Sequence, residues 1–127
     1  MIVLDASVLI AHLDGADQHH ADAQRLLEAS GEEPLGASAI TLAETLVSPA
    51  RAGRLADAEA ALRQLGVGEL ALGENTPSRL AKLRAEVGLK LPDCCVLLAA
   101  QEHAGIVASF DSDLLEGARK LRLKTTE

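Results

Sequence analysis

Four acidic residues, Asp5, Glu44, Asp93 and Asp111, stand where solvated surface acids do not belong. Asp5 directly follows Met1-Ile2-Val3-Leu4, a short continuous apolar run that reads as a strand covered on both faces. In open α/β sheets ligands bind beyond the C-terminal ends of the strands, so this acid is at the favoured edge. Asp111 stands in the same relation to the apolar run Ile106-Val107-Ala108. Glu44 lies beside a helical stripe of Ile40, Ala43, Val47 and Ala50, expected to face the core. Asp93, in a helix opening at Leu91-Pro92, shares a face with Val96, Leu97, Ala100 and Ala104 that should pack on the sheet. An acid in the first turn also gains from the positive end of its helix. Plainer readings exist for each: a turn or capping acid for Asp5, an N-cap for Asp93, a side chain reaching past the core to solvent for Glu44. Asp113 either assists Asp111 or caps the helix that follows.

Four carboxylates in one pocket repel, so either some protonate or cations fill the site. Hard oxygen donors select Mg²⁺ or Mn²⁺, and no Cys/His arrangement suits zinc. Such an ion lowers the pKa of a bound water and neutralises a pentavalent phosphorane, which makes phosphodiester hydrolysis the natural chemistry. His12, His19, His20 and His103 read as structural or solvent-facing, and Cys94 and Cys95 as helix-packing residues. Lys82, Lys90 and Arg119 are candidates for contacts to a nucleic-acid backbone, with ordinary surface charge as the alternative.

The elements that must position these acids alternate. Strands are expected at residues 1–4, 35–39, 67–72, 106–108 and 121–124. Helices are expected from Ser7 to Leu13, Ala16 to Ala29, Ile40 to Arg51, Leu55 to Leu65, a Thr76-Pro77 start to Val87, Leu91 to His103, and Asp113 to Arg119. Alternation of this kind implies a parallel sheet between helical layers. No repeat, low-complexity tract or linker divides residues 1–127, so a single domain is expected.

With 127 residues and 48% hydrophobic composition, the chain can bury a proper core. Phe110 is the sole aromatic residue, so the core must be Leu, Val, Ile and Ala. The net charge of -7 argues against non-specific nucleic-acid binding, but residues 1–50 hold eight acids against Arg25 alone, while residues 79–127 hold eight bases against seven acids. That asymmetry suits bound cations or a basic protein partner. No apolar run nears the roughly 18 residues needed to span a bilayer. The opening segment lacks a basic leader, and adjacent Cys94 and Cys95 are poorly placed for a mutual disulfide; a reducing cytoplasm is the expected location.

Together, Ile2-Val3-Leu4-Asp5-Ala6-Ser7, Thr41-Leu42-Ala43-Glu44, Leu91-Pro92-Asp93 and Ser109-Phe110-Asp111-Ser112-Asp113-Leu114 resemble a PIN-domain ribonuclease of the VapC type, the toxin of bacterial type II toxin–antitoxin pairs. The likeness covers essentially the whole chain; no single block is highly specific, but their order and spacing are. It implies a three-layer α/β/α sandwich with a central parallel sheet of five strands. It further implies Asp5, Glu44, Asp93 and Asp111 as the catalytic acids, with Asp5 and Asp93 as the principal metal ligands and Asp113 as a further acidic position. Ser7 and Ser109 fall on supporting hydroxyl positions. An RNA substrate, homodimers and a cognate VapB-like antitoxin whose C-terminal segment enters the acidic groove are likewise implied by the resemblance.

Three other readings compete. One is the same fold acting on DNA or branched nucleic acid. A haloacid-dehalogenase-like phosphatase with Asp5 as nucleophile would want a second Asp where Ser7 stands. A non-enzymatic receiver-like domain with an acidic metal pocket would want adjacent acids after the first strand, which this sequence lacks.

Overall fold

The computed structural model describes residues 1–126. Four strands, β1 (Ile2–Leu4), β2 (Leu35–Ser38), β3 (Val67–Leu70) and β4 (Ile106–Ala108), form one parallel sheet in the order β3-β2-β1-β4. Seven helices surround it: α1 (Ala6–Leu13), α2 (His20–Ala29), α3 (Ala39–Arg51), α4 (Leu55–Leu65), α5 (Thr76–Val87), α6 (Leu91–His103) and α7 (Ser112–Lys120).

Strand β1 alternates between two cores. Val3 points into a cluster with Val107, Leu83, Val96, Leu97, Leu98 and Leu114, built by α5, α6 and α7. Ile2 and Leu4 point into the opposite cluster with Val8, Leu9, Ala23, Ala37 and Leu62, from α1, α2 and α4. This is the expected three-layer sandwich. Each fully buried Leu or Val side chain contributes on the order of 1.5–3 kcal/mol, and with one Phe in the chain these aliphatic groups carry the fold. Helix α6 is buried continuously from Cys94 to Ala100, on all sides rather than on one stripe.

The sheet has four strands, not five. Leu121 ends α7, Arg122 turns the chain with φ 60°, and the expected strand at 121–124 shrinks to one parallel bridge between Val107 and Thr125. Leu121 and Leu123 pack against the core instead. The second helix begins at His20 rather than Ala16 because Asp14 and Asp17 accept hydrogen bonds from the amides of Ala16 and His19, at 2.9 and 2.8 Å. Such local turns compete with helix. The first helix starts at Ala6 rather than Ser7, with Asp5 in the cap position. Thr76 is likewise inside α5, whose cap position is Asn75.

The largest correction concerns α3. Ile40 and Val47 are 47% and 44% exposed, and Ala43 and Ala50 also face solvent. Its buried face is Thr41 and Thr45. Those hydroxyls are satisfied locally, so burial costs little: Thr45 Oγ1 donates to the Thr41 carbonyl at 2.9 Å, and Thr41 Oγ1 lies 3.1 Å from Ser38 Oγ, which caps the helix by accepting from the Thr41 amide.

Candidate active site

The C-terminal ends of β1 and β4 converge, and the loops leaving them lie side by side. The Asp5 amide donates to the Ala108 carbonyl at 2.9 Å, extending the β1–β4 pairing to the point where both strands end. Asp5 is buried there. Its Oδ2 accepts hydrogen bonds from Ser7 Oγ at 2.8 Å and Ser109 Oγ at 2.7 Å. Ser7 Oγ in turn accepts from the Phe110 amide at 3.0 Å, and Ser109 Oγ from the Asp111 amide at 2.9 Å. Two hydroxyls thus aim one carboxylate and pin the post-β4 loop to it. Both expected hydroxyl positions are on Asp5.

Asp93 sits half-buried in the first turn of α6. Its carboxyl is pushed up to about 6, chiefly by burial and then by the negative charges of Asp5, Asp111 and Glu44, with Lys90 opposing. Glu44, on the exposed side of α3, is also raised, first by desolvation and then by Asp5, again against Lys90. Asp5, Asp111 and Glu44 therefore lie close enough to Asp93 for their charges to act on it, with Lys90 as the cation that acts on both Asp93 and Glu44. Of the three basic candidates, Lys90 alone is seen acting on these acids.

Asp111 has a second duty. It caps α7, its Oδ1 accepting from the amides of Asp113 and Leu114 at 2.9 and 3.4 Å. The capping role weighed for Asp113 belongs to Asp111. Asp113 is exposed in the first turn of α7 and is not among the charges acting on Asp93 or Glu44. Cys94 and Cys95 are buried with their thiols pushed up by desolvation, which makes them poor nucleophiles.

The donor set of hard carboxylate oxygens, with Asp93 and Glu44 raised by burial and by neighbouring negative charge, fits a divalent cation of the Mg²⁺ type. The cluster is open: among the described residues no three His, Cys, Asp or Glu side chains converge closely enough, as they stand, to enclose an ion.

Two features escaped the sequence reading. The buried Ser38–Thr41–Thr45 hydroxyl ladder lies on the same helix as Glu44; its signal was the i, i+3, i+7 spacing of hydroxyl residues, which a hunt for apolar periodicity passes over. The other is a stack of His19 on Phe110, ring centroids 4.8 Å apart and planes 21° from parallel.

The PIN domain pattern matches residues 2–120 of the chain. Among solved structures, a toxin–antitoxin complex from Klebsiella pneumoniae is similar at 26% identity, covering 88% of this chain and 88% of that one, with TM-score 0.73. The sarcin-ricin-loop-cleaving toxin VapC20 of Mycobacterium tuberculosis gives 20% identity over 91% of this chain and 94% of its own, TM-score 0.74. FitAcB from Neisseria gonorrhoeae gives 20% identity over 100% and 97%, TM-score 0.73. No curated protein sequence matches. Among the described residues no helix is long and apolar enough to cross a membrane.

Proposed function

Because the chain belongs to the PIN-domain family, we propose that it is a Mg²⁺- or Mn²⁺-dependent endoribonuclease acting as the toxin of a toxin–antitoxin pair. The observation that carries this reading is the raising of both Asp93 and Glu44, caused first by burial and then by neighbouring acids, Asp5 foremost among them. The likeness to a toxin–antitoxin complex and to a toxin that cleaves an RNA loop supports the choice of RNA and of a protein antitoxin.

Asp5 and Asp93 would hold the ion, with Glu44 and Asp111 completing the pocket directly or through water. When bound, the ion lowers the pKa of a coordinated water and offsets charge on the phosphate. The chain's own groups do the rest. Ser7 and Ser109 both donate to Asp5 Oδ2 and so hold its rotamer, which leaves the other oxygen available to an ion. Glu44 and Asp111 are the carboxylates available to take the proton from the attacking water. Lys90 stands where it can hold a phosphate oxygen against the surrounding negative charge. The products are 5′-phosphate and 3′-hydroxyl ends. A basic C-terminal segment of an antitoxin would complement the same acids and block the pocket.

The test is incubation of the purified chain with structured RNAs, single-stranded DNA and a phosphomonoester, in Mn²⁺ or in EDTA. Metal-dependent RNA cleavage that disappears in Asp93→Asn is the expected result. Cleavage unchanged by that substitution removes Asp93 from the site.

A further inference from the structure

Phe110 is the chain's one aromatic residue, and it is placed between two residues of the carboxylate pocket, Ser109 and Asp111. Its backbone amide is tied to Ser7 Oγ, which donates to Asp5. The ring is therefore indexed to the acids by two hydrogen bonds rather than by a flexible loop. It is not sealed in the core. It is partly buried, it stacks on a His19 ring whose side chain is 41% exposed, and both rings line an open groove of about 670 Å³.

The groove has an apolar floor from Ile2 and Leu26, and its rim carries Arg25 together with the acids Asp22 and Glu33. Asp22 organises that rim, pairing with Arg25 and accepting from or facing His19 Nδ1 at 3.2 Å. Its volume suits a nucleotide-sized ligand. Flat rings with a guanidinium beside them are the side chains on which unpaired bases stack, and such stacking tolerates any base because each has a π-face. Packing alone would be served better by a buried aliphatic pair, as everywhere else in this core. A histidine stacked on the single aromatic, lining a groove whose Phe110 wall leads by one residue to Asp111, is a different arrangement.

We propose that the His19–Phe110 stack and its groove form a subsite for one unpaired nucleobase of the RNA, next to the phosphate held by the carboxylates. This rests on the ribonuclease reading above. The subsite selects single-stranded over duplex RNA at the cleavage point, because a base must leave its helix to reach the rings.

The test uses the full chain and a single-stranded RNA carrying 2-aminopurine, moved one position at a time across the cleaved bond. In EDTA, without turnover, binding quenches the fluorophore at one position adjacent to that bond. In Mn²⁺, His19→Ala and Phe110→Leu each raise KM roughly 5- to 100-fold, the range of a lost stacking contact, with a much smaller change in kcat. His19→Ala, on an exposed side chain, guards against misfolding of the Phe110 variant. Quenching and KM that are unchanged in both variants, with cleavage intact, overturn the subsite alone. An unaltered chain that neither cleaves nor binds RNA overturns the ribonuclease reading and the subsite with it.

Discussion

Ser109 donates its hydroxyl to Asp5 across a sequence separation of 104 residues, at 2.7 Å, while accepting from the Asp111 amide at 2.9 Å. One small side chain thus joins the first strand's acid to the last strand's loop. Ser109→Ala removes a donor from a buried carboxylate and leaves an amide unpaired. Activity is expected to fall roughly 10- to 100-fold, the usual effect of losing a group that orients a metal ligand, while Ser109→Thr retains most of it. Steady-state cleavage by the three proteins decides; an alanine variant as fast as the original would separate Ser109 from the site.

The raised Asp93 carboxyl makes stability depend on pH. An acid whose folded pKa exceeds its unfolded value holds extra protons in the native state, so its stabilising effect is present at low pH. That effect is lost as pH rises from the unfolded value of 3.8 through the folded value of about 6. Without divalent cation, Asp93→Asn should therefore be more stable than the original at pH 7.5, by about 1–2 kcal/mol after screening by solvent, and no more stable at pH 4. Urea melts in EDTA at the two pH values measure this; a pH-independent difference contradicts the cause.

Mg²⁺ or Mn²⁺ should raise the melting temperature of the unaltered chain by binding only its native state. In Asp93→Asn the increment should shrink or vanish. Calorimetry with millimolar metal against EDTA gives the answer without any substrate; equal increments in both proteins would place the ion elsewhere.

Ile40→Ser and Val47→Ser distinguish the two orientations of α3. Facing the core, each would cost about 2–5 kcal/mol. Facing solvent, as they do, each should change stability by no more than about 0.5 kcal/mol. Denaturant midpoints are the measurement.

Ala104 ends α6 in the left-handed region with φ 50°, while Gly105 follows it. Ala104→Gly should stabilise by about 0.5–1 kcal/mol, relieving the Cβ strain of that conformation. Gly105→Ala should destabilise by about 1–3 kcal/mol, because its Cβ would lie 2.5 Å from Val3 Cγ2 in the core. The two variants should move the unfolding midpoint in opposite directions.

Sequence periodicity found the layers because β1 and β4 are short apolar runs with an acid after or near each end, a pattern that two-sided burial enforces. Asp5 and Asp111 were legible for that reason, and Asp93 from the face of α6 that it shares with Val96 and Leu97. Glu44 was located for a wrong one: spacing fixes which residues of α3 share a face, but not which face meets the protein. Thr41 and Thr45 are inward because their hydroxyls close bonds within α3 and to its cap, a compensation that hydropathy does not register. Gly105 follows the end of α6, and its smallness serves the approach of Val3 rather than a left-handed turn. The fifth strand failed at Arg122, whose backbone conformation no local pattern announced. The His19–Phe110 stack depends on how α2 lies over the sheet, which is a matter of tertiary packing alone.

Strand β1 lies between β2 and β4, so it can be hydrogen-bonded on its second side only after residue 108 exists. Folding of such a sheet waits on a loop closure that spans most of the chain, which makes it slow relative to proteins of local topology. Ser109 reaches Asp5 only in that docking, whereas Ser7 stands two residues away. A nascent chain therefore carries an Asp5 that lacks its Ser109 donor until β4 arrives.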